Sequence, residues 1–244
     1  VGAAVSLGVG LAVSAHIDET RRRPVIGAPP RIDRFFRDRL YDAGRATNFL
    51  DHRGTAYTLL GGVSAMLLLQ QALDADARWR DGVYEVAVFG VGFLAQEGVK
   101  LAVKSSFARR RPELEFADPA DFPVLNAEPK NHQSFYSGHA VAAFYTAAYA
   151  DQRIGGLLRR RYSGPAGRAY RALSFLGLYG WAGYVGYSRM QIDRHYFTDV
   201  LAGAALGASW GIWHYRRHHA RDGRWSAAPV FDGTRVGVMV SRRY

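Results

Sequence analysis

Cysteine is absent from this 244-residue chain, which excludes disulfide frameworks, thiolate nucleophiles and cysteine-ligated metals. The redox compartment stays open. Lysine is scarce as well, so the formal charge of +11 and the pI of about 10.1 rest on arginine, spread over several loops rather than gathered on one basic helix. A charge of that size suits nucleic acid, an anionic membrane surface or a phosphorylated substrate. The sequence has no zinc finger, helix-turn-helix or RNA-binding signature, which sets nucleic acid aside as a partner. It also lacks internal repeats and low-complexity tracts. A mean hydropathy of −0.16 is low for a chain lying mostly in lipid, yet the apolar residues are clustered, and the average conceals segments that could be membrane spans or buried helices.

Those segments predict an all-α bundle of five to six helices with its chemistry at one end, followed by a short β-like tail. A chain of 27.0 kDa can bury one substantial core. We read residues 1–219 as a single helical domain and 220–244 as the tail, a candidate hairpin. Residues 1–15 are apolar and small and begin without methionine. They read as a first membrane helix or, since Val13-Ser14-Ala15 resembles a cleavage site, as what remains of a leader. Residues 17–56 are rich in arginine, with Pro24, Pro29 and Pro30 marking a loop; Ile32, Phe35, Phe36 and Leu40 recur at helical spacing and predict a short amphipathic interfacial helix.

Residues 57–73 form the clearest uninterrupted apolar run, slightly short of the roughly 20 residues of a full span. Residues 83–103 form a second, but they carry Glu85, Gln96, Glu97 and Lys100 and so read as a helix packed inside the bundle, with Glu97 and Lys100 paired at i, i+3. The polar connection at 105–136 is too long for a mere joint, and such loops are usually functional. A helix capped at Ser137 or Gly138 is expected to run to about residue 150. Residues 152–171 then hold six arginines and a Ser-Gly-Pro break, 172–187 an aromatic helix, and 196–215 the last helix. Its Ala202, Gly203, Ala204, Ala205, Gly207 and Ala208 would permit close packing. Beyond His219, Ala228 to Phe231, the pair Asp232-Gly233 and Val236 to Val240 read as a hairpin.

Three clusters flank the helices. One is Lys104 followed after six residues by Arg111-Pro112, the second is Ser137-Gly138-His139, and the third runs from Ser188 to Asp199. If the helices alternate up and down, all three meet at one end. Their composition argues for a phosphate. Lys104, Arg111 and Arg189 offset phosphoryl charge, and the guanidinium forks match its oxygens. A helix starting at Ser137 and Gly138 adds backbone N–H donors and the positive end of its dipole. His195 and Asp199, at i, i+4, share a face, and a carboxylate beside an imidazole favours nucleophilic work.

In these motifs the chain resembles the type 2 phosphatidic acid phosphatase family, which includes bacterial acid phosphatases and vanadium haloperoxidases. The family signature is Lys-x6-Arg-Pro, Pro-Ser-Gly-His and Ser-Arg-x5-His-x3-Asp. The first and third are present in full as Lys104 to Pro112 and Ser188 to Asp199, whereas the second reads Tyr136-Ser137-Gly138-His139, with tyrosine in place of proline. The likeness extends over about residues 59–212. It implies a phosphoric ester hydrolase in which His195 attacks phosphorus to form a phosphohistidine, with Asp199 fixing its tautomer. His139 would protonate the leaving oxygen and then activate water. Lys104, Arg111, Ser137, Gly138 and Arg189 would hold the phosphoryl oxygens, with no cofactor and no metal.

The remaining candidates have plainer readings. His16, His52 and His132 read as structural or solvated, and His214, His218 and His219 as a basic helix end despite their i, i+4 spacing. Of the three consecutive arginines only Arg111 has the register and the following proline, which leaves Arg109 and Arg110 as a basic patch; Asp193 and Arg194 fall in the motif's spacer and take loop roles. The expected substrate is a phosphate monoester or diphosphate, foremost a phosphorylated lipid, with oligomeric state open. The expected location is a bacterial inner membrane, where the six-arginine segment would be cytoplasmic and the catalytic loops extracytoplasmic. That topology also places the arginine-rich residues 17–56 outside. The alternatives are a soluble periplasmic acid phosphatase acting on small esters and a vanadate-dependent haloperoxidase.

Overall fold

The computed structural model describes residues 27–44, 61–62, 79–219, 226–232 and 235–241. The expected helix or leader at 1–15, and all but two helical residues of the run at 57–73, lie outside them. Helix α1, Arg31–Leu40, follows Pro30 directly. Helix α2, Trp79–Phe107, contains the apolar run 83–103 and ends at Ala108, whose φ of 44° turns the chain aside. The polar connection holds two short helices, α3 (Pro112–Glu115) and α4 (Phe122–Ala127), and a 3-10 turn at Pro129–His132. Three long helices follow: α5 (Gly138–Arg161), α6 (Gly164–Gln191) and α7 (Phe197–His219). The tail is an antiparallel hairpin of β1 (Ser226–Asp232) and β2 (Arg235–Ser241), with Phe231 opposite Val236. The architecture is therefore the helical bundle with a strand-like tail that the sequence predicts.

Helices α5 and α7 make the most extensive contact among the described residues. Gly203, Gly207 and Gly211 recur every fourth residue and form one ridge, each buried. A Cβ on Gly203 would sit 2.7 Å from the Ser137 carbonyl oxygen, and one on Gly211 2.7 Å from that of Tyr145. Glycine alone lets the two backbones approach this closely. The sequence placed the small residues on this helix correctly, but Ala205 among them points outward.

Helix α2 packs on this pair through Val88 and Phe89, which join Tyr145, Tyr149 and Ala150 in the core. Polar groups fasten it: Tyr145 Oη donates to the Phe89 carbonyl at 2.7 Å and Trp210 Nε1 to the Gly92 carbonyl at 2.9 Å. The expected Glu97–Lys100 ion pair is present. The helix is not enclosed as expected, however. Val83, Val91, Leu94 and Val99 are all at least 40% exposed, so an apolar face looks outward.

Two further expectations change. The six-arginine segment is mostly helical, because α5 continues to Arg161 and α6 resumes at Gly164, whose φ of 66° suits glycine at the break. On α1 the periodicity located the helix but not its inner face. Asp33 is fully buried there, while Ile32 and Phe35 are 46% exposed. Phe36 of the expected apolar face finds an aromatic partner beyond the helix, stacking on Phe197 at 4.0 Å.

Candidate active site

Each motif lies where a helix meets a loop. Lys104 is in the last turn of α2, Ser137 caps α5, Arg189 is in the last turn of α6, and His195 precedes α7 by two residues. Main-chain bonds close these junctions on one another. Arg111 N donates to the Asn131 carbonyl at 2.8 Å and Ser134 N to the Arg109 carbonyl at 2.9 Å, so the first motif runs beside the approach to the second. Lys104 Nζ donates to the Gln133 carbonyl at 2.7 Å. Ser137 N donates to the Asp199 carbonyl at 3.0 Å, and Glu113 N to that of Asp193 at 3.1 Å, which ties in the third motif.

The second motif keeps its helix start with Tyr136 in the proline position. Ser137 Oγ accepts from Ala140 N at 3.4 Å, as an N-cap does. Tyr136 is buried, and burial together with the Glu97 carboxylate pushes its phenol up to about 12, so it stays neutral. Gly138 lies against Lys100, whose Cδ would be 2.8 Å from a Cβ at that position.

The two histidines share their electrostatic surroundings. Burial, then Arg189, Lys104, Lys100 and Arg111, pull His139 down to about 3. His195 is pulled well below the usual imidazole range by burial and then by Lys104, Arg111, His139 and Arg189. The structure thus brings the sequence candidates Lys104, Arg111, Arg189, His139 and His195 into one cluster in which both imidazoles are neutral. Asp199 Oδ2 stands 3.9 Å from His195 Nδ1, outside hydrogen-bonding distance, and among the described residues that nitrogen makes no hydrogen bond.

The carboxylate of Asp199 is occupied elsewhere. It accepts from Ser134 Oγ at 2.6 Å, from Tyr196 N at 3.1 Å and from Arg109 Nη1. Arg109 is therefore no surface patch. It is 3% exposed, lies over the Tyr196 ring at 4.3 Å, and joins Asp199 to Asp33 of α1. The spacer residues shape the loop: Asp193 has φ of 55°, tolerable for aspartate, and accepts a two-pronged bond from Arg37, while Arg194 pairs with Glu113. His132 is structural, its Nε2 lying 3.1 Å from the Asn126 carbonyl oxygen.

A sequence model of the PAP2 superfamily matches residues 85–222, more than half of the chain and every residue of the cluster. The chain belongs to the PAP2 superfamily. Among curated proteins this PAP2 chain is 27% identical over 139 residues to phospholipid phosphatase 1 of Rattus norvegicus, covering 50% of the chain and 48% of that protein. It is 33% identical over 79 residues to phospholipid phosphatase 1 of Mus musculus, covering 32% of the chain and 26% of that protein. The chain thus spans about half or less of the length of these relatives. Among solved structures it is similar to the transmembrane PAP2 type phosphatidylglycerolphosphate phosphatase from Bacillus subtilis, with a TM-score of 0.45 and 20% identity over 85% of this chain and 83% of that one.

Proposed function

We propose that this PAP2 chain is a phosphatase that hydrolyses a phosphate monoester or diphosphate of a lipid through a phosphohistidine. The observation that carries the reading is the pairing of two neutral histidines, His195 buried and His139 half-buried, with the same three cations, Lys104, Arg111 and Arg189. In this reading those cations, the Ser137 hydroxyl and the Gly138 N–H at the start of α5 hold the phosphoryl oxygens, the Ser137 N–H being engaged by the Asp199 carbonyl. With Nδ1 turned toward Asp199, His195 attacks through Nε2, so an N–P bond forms as the ester P–O bond breaks. The leaving oxygen takes a proton from His139. Water then gives a proton to His139 and attacks phosphorus, the N–P bond breaks, and inorganic phosphate leaves. The substrate binds as a monoanion and passes its proton to His139, and the phosphoryl charge then stabilises the imidazolium against the burial and the cations that keep His139 neutral in the free protein. Since these cations carry the charge stabilisation, the reading needs no metal.

A lipid is favoured by the outward apolar face of α2, whose residues Gly82–Lys104 are long and apolar enough to cross a membrane, with 28% of the most apolar stretch buried. Membrane association follows from the same face. The arginines at the junction of α5 and α6 then lie on the cytoplasmic side and the cluster on the opposite one. The deciding experiment offers detergent-solubilised chain a panel of phosphorylated lipids and soluble esters and traps the phosphoenzyme by a denaturing quench at alkaline pH, where the N–P bond of a phosphohistidine persists. Lipid turnover with a labelled histidine that is lost in His195→Ala is expected; turnover without a trapped intermediate would remove the mechanism, and preference for soluble esters would remove the lipid.

A further inference from the structure

Behind the histidine pair lies a closed ionic cluster with one member that no motif contains. Asp33 is fully buried on α1 and precedes the PAP2-matched residues by some fifty positions. Its Oδ1 accepts from Thr198 N at 2.9 Å, and its Oδ2 from Thr198 Oγ1 at 2.8 Å and from Arg109 Nη2 at 2.6 Å. Arg109 Nη1 donates to Thr198 Oγ1 at 2.9 Å and to Asp199. One guanidinium is thus shared by two carboxylates, all three groups at most 4% exposed.

The charges matter as much as the contacts. Arg109 and Asp199 alone would form a neutral pair, and the negative field of Asp199 at His195 Nδ1, 3.9 Å away, would be largely cancelled. Asp33 engages the other fork of Arg109 and returns the cluster to a net −1. It also fixes the first turn of α7 through Thr198, the residue before Asp199, and the positive end of that helix favours the buried carboxylate.

We propose that Asp33 is a positioning residue for phosphoryl transfer, holding Arg109 so that Asp199 keeps both its place and its negative field at His195. The inference rests on the phosphatase reading above. It assigns to α1 a part in the chemistry that its exposed face, Ile32 and Phe35, does not reveal.

The test compares the wild-type chain, Asp33→Asn, Asp33→Glu and Phe36→Ala in detergent, with active sites counted by binding of inorganic phosphate. Phe36→Ala loosens the docking of α1 at its stack on Phe197 without touching any charge. Asp33→Asn is expected to lower kcat per phosphate-binding site by about 10- to 100-fold, the effect of weakening one charge interaction beside the nucleophile, while KM and the affinity for inorganic phosphate stay within about threefold. Asp33→Glu should recover part of the loss, and Phe36→Ala should keep kcat per site. An active wild type with Asp33→Asn within twofold of it would overturn this inference alone, as would an equal loss in Phe36→Ala or a loss that vanishes once sites are counted. A wild type that binds phosphate but turns over no phosphate ester would overturn the functional reading and this inference with it.

Discussion

Asp199 Oδ2 and His195 Nδ1 face each other at 3.9 Å, close enough for charge to act and too far for a hydrogen bond. In the proposed mechanism Asp199 would act on the imidazole through its field, while Ser134, Tyr196 N and Arg109 hold the carboxylate still. Asp199→Asn keeps the shape and removes the charge. It is expected to lower kcat by about 10² to 10³, the size of a unit charge interaction of 3–4 kcal/mol at this distance in a moderately polarisable site. Steady-state kinetics beside phosphate affinity checks it, and a loss confined to KM would contradict a role in the chemical step.

The pH dependence follows from His139. With its pKa pulled down to about 3, the free protein carries a neutral His139 over the working range, so the proton for the leaving oxygen arrives with the phosphate monoanion. The second ionisation of a phosphomonoester lies near pH 6, so kcat/KM is expected to fall about tenfold per pH unit above roughly 6 to 7. In the bound state the phosphoryl charge raises the histidine, and kcat should hold to higher pH than kcat/KM does. A kcat/KM that is flat to pH 9 would refute this.

His139→Ala separates the acid from the cage. Loss of a general acid costs about 10² to 10⁴ when the leaving alkoxide is poor and far less for an activated aryl phosphate. Rates for an alkyl and a nitrophenyl ester, measured side by side, test this; equal losses would assign His139 to binding.

The ridge on α7 can be probed through stability. Gly207→Ala would drive a methyl into the Val141 carbonyl and within 3.0 Å of Tyr145 N, and should cost about 1–3 kcal/mol. Ala205→Leu, on the exposed side of the same helix, should change little. Thermal unfolding of both variants gives the comparison, with equal shifts counting against the ridge.

Release from cell membranes tests the outward face of α2. Detergent should be required, since Val83, Leu94 and Val99 each stand 46% or more exposed on one apolar helix. Release by salt or osmotic shock alone would favour the soluble acid phosphatase.

What could be read from the sequence divides along a physical line. The long helices and the motif residues were legible because periodicity and short fixed spacings are local properties, and Lys104, His139 and His195 carry them within one or two turns. Arg109 and Asp33 were not legible. Their bond spans 76 positions, and a buried ion pair leaves no periodic trace in either segment. A weak signal existed for Asp33: it is an acidic residue on the side of α1 that helical spacing turns toward Phe36 and Arg37. The enclosed reading of α2 held on one side only: Glu85 and Gln96 are buried against the bundle as their polarity demands, whereas Val83, Val91, Leu94 and Val99 turn outward, and nothing in their spacing marks that side as exposed.

The glycine ridge begins beside the Ser137 carbonyl, where α7 touches the start of α5. The spacing between the second and third motifs is thereby gauged by backbone against backbone, which has no rotamers to relax. Residues on the outer faces of both helices are free to drift, for instance to match a bilayer of different thickness, while the distance between the two motifs stays constant.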